Sequence, residues 1–272
     1  MEMLLNALAA SGAVVKEAGV FRNTPELAPF LADGGAEDAR ASLLHTANMW
    51  RSWTTLTDCV RAGTAVLPPN VEHGDPAWRE SFIAAMHRNA QVFAQEMVRR
   101  VGAAGVRRLL DVGGGSGAYS MAFARANPEL EAEVLDLEDV LPLTRAYIER
   151  AGLGGRVRVR AGDLRTDSFG EGYDLLLVSA ICHMLSPEEN RGLFVRCRRA
   201  LAPGGRLAIR DFLLDPDKTS PKTAALFALN MLVATRAGSS YSEDEYRAWL
   251  GEAGFARVER PDPAGDFLVA FT

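Results

Sequence analysis

Asp111-Val-Gly-Gly-Gly-Ser-Gly117 is the stretch with the clearest chemical content. An acid closes an apolar run, and Gly113, Gly114, Gly115 and Gly117 follow almost without side chains. Strand, glycine loop and helix in that order build a crevice at the carboxyl end of a strand, where open α/β sheets bind ligands. Bare backbone there lets a ligand approach closely. Asp111 would repel a phosphate and attract a cationic, amino-acid-like ligand. Asp136, Asp163 and the stretch Ser179–His183 recur in phase after later strands. Asp136 suits a pair of ribose hydroxyls. Asp163 suits an adenine amino group, with Leu164 over the ring. This set suits an adenosine that carries a positive centre and no phosphates. His183 stands at the same crevice, and an imidazole with its ordinary pKa of about 6.5 suits a general base at neutral pH.

The same glycines also fit the dinucleotide fingerprint, Gly113-x-Gly115-x-x-Ala118, with an acid about 20 residues later at Asp136. A tight strand-to-helix turn without a ligand would use them too. Each acid taken singly is an ordinary helix cap or loop turn. Three acids in phase with three strands are more than packing requires, because each must be solvated or bonded.

The elements that position these residues alternate from Val106 onward. Strands are predicted over Val106–Val112, Glu133–Leu137, Val157–Ala161, Tyr173–Ser179 and Arg206–Arg210. Helices are predicted over Tyr119–Ala126, Val140–Ala151, Pro187–Leu201, Ser220–Thr235 and Ser242–Ala253. Tyr173–Ser179 is almost wholly apolar, as a doubly covered parallel strand should be. Ala256–Arg260 and Phe267–Phe271 close the chain as two strands around Pro263-Ala-Gly265.

Upstream, Glu2–Ala10 reads as a short helix, with a small hairpin from Val14–Lys16 and Val20–Arg22. Thr24 caps a helix with Pro25 at its first position. Glu37–Arg61 reads as one long amphipathic helix, with Leu43, Leu44, Met49, Trp50, Trp53 and Leu56 on or near one face. Asp75 caps a second long helix, from Pro76 to about Arg100. Helix followed by hairpin is similar to the second half of a winged helix. Its first half would lie before residue 1, so the chain looks cut short. Two domains are expected, a mainly helical one over residues 1–100 and a sheet domain over 101–272.

Composition sets outer bounds. Among 272 residues, 48% are apolar and 24% charged, as in an ordinary globular protein. The formal net charge of -5 argues against nucleic acid as a partner. Cys59, Cys182 and Cys197 are widely spaced and fit neither a zinc pattern nor a disulfide framework. No metal is expected, and a reducing cytoplasm is the expected location. No apolar run of about 18 residues suggests a membrane span, and the first residues lack the regions of a signal peptide.

At this point the motifs, in order and at family spacing, resemble the small-molecule O-methyltransferase family that uses S-adenosylmethionine. This group contains plant phenylpropanoid and flavonoid enzymes and bacterial polyketide-tailoring enzymes. Asp111–Gly117 matches its cofactor loop, and Asp136-Leu137 before Val140-Leu-Pro142 its ribose-binding acid. Gly162-Asp163-Leu164 matches its adenine segment, and Ile181-Cys-His183 with Ser186 the segment of its general base. Leu201-Ala-Pro-Gly-Gly205 and Glu252-Ala-Gly-Phe255 are further family marks. The resemblance implies a Rossmann-like class I methyltransferase fold. That is an α/β seven-stranded, mostly parallel sheet with a C-terminal antiparallel hairpin, behind a mainly helical domain with a partial winged helix.

The resemblance also implies roles. His183 would be the base, oriented by Asp211, where plant members carry glutamate. Asp111, Gly113, Gly115, Gly117, Asp136, Leu137, Asp163, Leu164 and Ser179 would hold S-adenosylmethionine and its product S-adenosylhomocysteine. Phe82, Met86, Asn230, Met231 and Thr235 would line the site of an aromatic acceptor. A homodimer built through N-terminal helices and a place in secondary metabolism are implied too. Two positions depart from the pattern. The family's second carboxylate falls near Ser240, and its aspartate after the histidine is here Met184.

Methylation of a phenolic hydroxyl is therefore the expected reaction. The missing second carboxylate leaves open C- or N-methylation, or another S-adenosylmethionine-binding tailoring role that does not use the methyl group. An NAD-dependent dehydrogenase is a reading of another class, but the chain has no second nucleotide-binding half. A winged-helix regulator is a third, against which the Glu2–Ala10 helix offers almost no Lys or Arg for phosphate contacts.

Overall fold

The computed structural model describes residues 1–32, 37–69, 76–262 and 265–272. The chain opens with helix α1 (Glu2–Ala10) and an antiparallel hairpin of β1 (Val14–Glu17) and β2 (Val20–Asn23). Ala18 and Gly19 both take positive φ, 48° and 79°, as a two-residue hairpin turn requires. The helix expected from Pro25 starts later, as α2 (Ala28–Leu31). The Thr24 carbonyl first closes a turn by accepting from the Leu27 and Ala28 N–H groups.

The single long helix expected over Glu37–Arg61 is two, α3 (Arg40–Trp53) and α4 (Leu56–Ala62). The Thr54 and Thr55 hydroxyls donate to the carbonyls of Arg51 at 2.7 Å and Ser52 at 2.6 Å, which competes with continued helix. Its apolar residues do not form an inward stripe either. Leu43, Leu44 and Trp50 are exposed, Trp50 by 74%. Helix α5 (Pro76–Val101) follows as expected, while the expected cap at Asp75 lies outside the described residues.

From here strands and helices alternate as read. They are β3 (Arg108–Val112), α6 (Ala118–Ala126), β4 (Glu131–Asp136), α7 (Leu141–Arg150), β5 (Val157–Ala161), β6 (Tyr173–Ser179) and α8 (Pro187–Ala200). After them come β7 (Leu201–Arg210), α9 (Lys222–Ala234), α10 (Glu243–Glu252), β8 (Arg257–Glu259) and β9 (Phe267–Phe271). β7 begins earlier than expected. Leu201 pairs with Tyr173, and the register then shifts across Pro203-Gly-Gly205 before Arg206 pairs with Leu175. The seven-stranded sheet has the order β5-β4-β3-β6-β7-β9-β8. It is parallel from β5 to β7, with β9 antiparallel to β7 and to β8.

Alternate strand residues serve opposite faces. Leu110, Val112, Leu176, Val178, Leu207 and Ile209 pack under Phe194, Tyr246 and Trp249 of α8 and α10. Leu109, Val134, Leu175, Leu177 and Ala208 pack under Met97, Phe123 and Ile148 of α5, α6 and α7. Burying each large apolar side chain contributes about 1.5–3 kcal/mol. Both faces being covered, the carboxyl rim of the parallel strands is where polar groups emerge. The order reverses between β3 and β6, so the rim has its crevice there. Among the described residues, no helix is long and apolar enough to cross a membrane.

Candidate active site

Parallel pairing brings the ends of β3, β4, β6 and β7 to one rim. Asp111 pairs with Val134 and with Leu177, and Ser179 pairs with Arg210. Asp111 is 1% exposed. Its Oδ2 accepts from Ser120 Oγ at 2.8 Å, while its Oδ1 is buried with no hydrogen-bond partner. Burial pushes its carboxyl up to about 6; the Ser120 bond opposes this and the Asp136 charge adds to it. An orphaned buried carboxylate oxygen fits the ammonium of an amino-acid-like ligand.

The glycine loop is tied on several sides. The Gly113 N–H donates to the Leu135 carbonyl at 2.8 Å, and the Gly115 N–H to Asp136 Oδ2 at 2.8 Å. Thr144 Oγ1 of α7 donates to the Gly115 carbonyl at 2.6 Å. Gly113 has φ 67°, a left-handed backbone that favours glycine, and a Cβ there would meet Ile181 Cδ1 at 2.5 Å and displace it. Gly117 sits left-handed at the cap of α6. Beside Gly115 nothing comes nearer an added Cβ than Ile83 Cδ1 at 3.7 Å, which leaves backbone open to a ligand.

Asp136 also accepts from the Leu137 N–H at 2.8 Å, so both its oxygens already organise backbone. Burial raises its carboxyl, against these two bonds. Asp163 Oδ1 accepts from the Arg165 N–H at 2.8 Å and its carbonyl from Thr166 and Asp167, a local turn. Leu164 Cδ2 lies 3.5 Å from the Cβ position of Gly113, so this turn does reach the loop. Leu137 is partly exposed at the rim.

After Ser179 the chain leaves the sheet through Ala180, a non-glycine residue with φ 55°. Its N–H still donates to the Arg210 carbonyl at 2.8 Å. The left-handed step lays a short 3₁₀ turn, Cys182–Met184, across the rim. His183 Nδ1 lies 2.6 Å from Asp211 Oδ1. Asp211 Oδ2 accepts from the His183 N–H at 3.1 Å, and Oδ1 from the Phe212 N–H at 2.8 Å. His183 is 7% and Asp211 3% exposed. Burial alone would raise the Asp211 carboxyl. The facing His183 and these hydrogen bonds outweigh it and hold the carboxyl below the usual range. With Nδ1 committed, Nε2 is the ring nitrogen left for a proton.

Two residues of this site escape sequence reasoning. Phe212 and Phe227 stack at 3.7 Å, and both meet the His183 ring edge-to-face, at 5.7 and 4.8 Å. Phe212 follows Asp211 directly, and an aromatic there was the available signal. Phe227 is one apolar residue among many on α9.

Where the acceptor-lining residues are expected, α9 packs against α3, α4 and the His183 turn. Asn230 Oδ1 accepts from Trp53 Nε1 at 3.0 Å, joining α9 to α3. Met231 is buried. Thr235 Oγ1 donates to the Met231 carbonyl at 2.7 Å and accepts from the Gly238 N–H at 2.9 Å, so its hydroxyl caps α9. Phe82 stacks on Trp78 at 5.0 Å and meets His45 edge-on at 5.2 Å. Met86 is half-buried one turn further along α5. Ser240 Oγ donates to the Ala224 carbonyl at 2.8 Å and is remote in chemistry from a carboxylate.

Residues 53–256, more than half of the chain, match the O-methyltransferase domain family. A 3-hydroxy-5-methyl-1-naphthoate 3-O-methyltransferase of Streptomyces sahachiroi is 34% identical over 94% of this chain and 76% of its own. An N,N-dimethyltransferase of Streptomyces rimosus is 31% identical over 97% of this chain and 80% of its own. Among solved structures, PigF with SAH superposes with a TM-score of 0.89 at 26% identity, over 99% of this chain and 84% of that one.

Proposed function

The chain belongs to the O-methyltransferase domain family and is an S-adenosylmethionine-dependent methyltransferase, and from that premise we propose that it methylates a phenolic hydroxyl of an aromatic small molecule, with His183 as general base. When bound, S-adenosylmethionine supplies an electrophilic methyl group on a sulfonium centre. The chain's own contribution is to hold that group and an acceptor oxygen in line, which is chiefly a proximity effect. Asp111 and the backbone of Gly113, Gly115 and Gly117 would take the amino-acid end. Asp136 and Leu137 would take the ribose, and Asp163, Leu164 and Ser179 the adenine side of the crevice.

One observation carries the base assignment, the buried His183–Asp211 pair on the same rim as the glycine loop. Asp211 fixes the tautomer, so Nε2 can take the phenol proton, and it stabilises the imidazolium that results. The Phe212–Phe227 stack beside the imidazole supports a flat aromatic acceptor. Phe82, Met86, Asn230, Met231 and Thr235 belong to the helices that would enclose it. The naphthoate activity of the Streptomyces sahachiroi relative supports a fused-ring phenol from secondary metabolism.

N-methylation is the second reading, favoured by the Streptomyces rimosus relative and by serine at position 240. Incubation with methyl-labelled S-adenosylmethionine and a panel of phenols and aryl amines separates the two. Label on phenolic oxygen is expected, and label confined to nitrogen or carbon overturns the phenol assignment.

The reading divides the chain at about residue 100, supported by the change from helices to alternating strands after Val101. It places the protein in the cytoplasm, supported by three free, buried cysteines. It takes the protein as a homodimer. The support is the apolar surface of α1, where Met3 is 86% exposed and no residue is buried, together with Leu43, Leu44 and Trp50 of α3.

A further inference from the structure

We infer that one face of α5, carrying Arg79, Ile83 and His87, positions the glycine loop for S-adenosylmethionine, and that His87 does so through its hydrogen bond to Ser116. The inference rests on the reading of this loop as the cofactor site. The three residues are four apart, so they form one stripe along the helix. Arg79 Nη2 pairs with Asp139 Oδ2 at 3.0 Å, three residues beyond Asp136. Ile83 is buried, with its Cδ1 beside Gly115. His87 Nδ1 is 2.8 Å from Ser116 Oγ, inside the loop.

The histidine is itself held. Its ring stacks on Tyr147 of α7 at 4.0 Å with 25° between planes. Three residues before Tyr147, Thr144 bonds the carbonyl of Gly115. The pair Gly115–Ser116 is thereby gripped by β4 through Asp136, by α7 through Thr144 and by α5 through His87. Burial, reinforced by Arg150 and Arg125, pulls the His87 imidazole down to about 4, so the ring is neutral when it meets Ser116.

Packing alone would favour an apolar residue at position 87, because burying a polar pair costs desolvation that its hydrogen bond only offsets. What the polar pair adds is direction. Gly113, Gly115 and Gly117 all take positive φ, 67°, 55° and 72°, and such a loop has many other conformations open to it. Fixing Ser116 removes that freedom before the ligand arrives, which raises affinity by preorganisation. Phe82 and Met86 lie on the same helix, each next in sequence to a member of the stripe. The element that seats the cofactor loop is therefore also one of the two helices that carry acceptor-side residues.

Calorimetric titration of the full chain with S-adenosylhomocysteine tests this, using wild type, His87→Ala, His87→Asn, His87→Phe and Ser116→Ala. His87→Ala should weaken binding roughly tenfold, the scale of one partly buried hydrogen bond. His87→Asn, whose amide reaches Ser116 from the Nδ1 position, should restore most of it. Ser116→Ala should match His87→Ala, and the double variant should be no worse than either. In turnover the KM for S-adenosylmethionine should rise while kcat holds. Wild-type binding with His87→Ala equally tight overturns the inference, as does full affinity in His87→Phe, which keeps the packing without the bond. Absence of binding by wild type would instead overturn the cofactor reading itself.

Discussion

His183 and Asp211, 28 residues apart in sequence, share a 2.6 Å contact at the ends of adjacent parallel strands. The carboxylate also accepts the backbone N–H of His183, so it sets both the ring and the turn that carries it. His183→Ala should lower turnover by about 10²–10⁴-fold, the scale of a lost general base. Asp211→Asn should lower it less. Affinity for S-adenosylhomocysteine should stay near wild type in both. Near-full turnover of His183→Ala at saturating acceptor would make the residue structural.

Gly238 has a narrower tolerance than its loop position suggests. A Cβ there would stand 2.3 Å from the His183 carbonyl oxygen and 2.7 Å from Thr235 Oγ1. The nearer atom is backbone and cannot swing aside. Gly238→Ala should push the His183 turn off the rim and, with His183 as the proposed base, reduce kcat by about tenfold or more. Cofactor affinity should be retained, because the glycine loop lies elsewhere on the rim. Unchanged kcat would show that the His183 turn has slack.

The proposed ligand-binding role of Asp111 predicts a link between pH and affinity. Its folded carboxyl, raised to about 6 by burial, binds protons that the unfolded chain has already released. Ionised Asp111 therefore costs the ligand-free fold stability, a cost fully present above about pH 6 and relieved as pH falls through that value. A ligand ammonium reverses the preference. S-adenosylhomocysteine affinity should weaken as pH drops below about 6. Asp111→Asn should bind more weakly at neutral pH, without that decline, while melting higher than wild type when ligand-free. An unaltered pH dependence in Asp111→Asn would remove the carboxylate from the ligand's surroundings.

The exposed apolar residues of α1 and α3 carry the fourth prediction. Light scattering at tens of micromolar should give a dimer, and Trp50→Glu should shift it toward monomer without changing the circular dichroism spectrum. A monomeric wild type would leave that surface to some other use.

Much of this architecture is legible in the order of residues because its causes are local. Alternating and helical periodicities place the elements of the sheet unit to within a few residues. Glycine spacing marks the loop, and acids at strand ends mark the rim. Local signals failed where two tendencies competed nearby. Thr54 and Thr55 broke a helix whose apolar periodicity continues in the sequence, and Thr24-Pro25 made a turn before a helix.

Only the tertiary structure decided which side chains meet. Asp211 faces His183 because β7 lies beside β6 and because Ala180 turns left-handed to lay the histidine across the rim. Phe227 reaches the imidazole because α9 folds back over that turn, and His87 reaches Ser116 because α5 crosses the glycine loop. Backbone hydrogen bonding within helices follows from near neighbours, whereas strand pairing joins residues as distant as Leu109 and Leu175. Side-chain pairing across elements depends on strand order, crossing and loop path, which no short stretch of sequence contains.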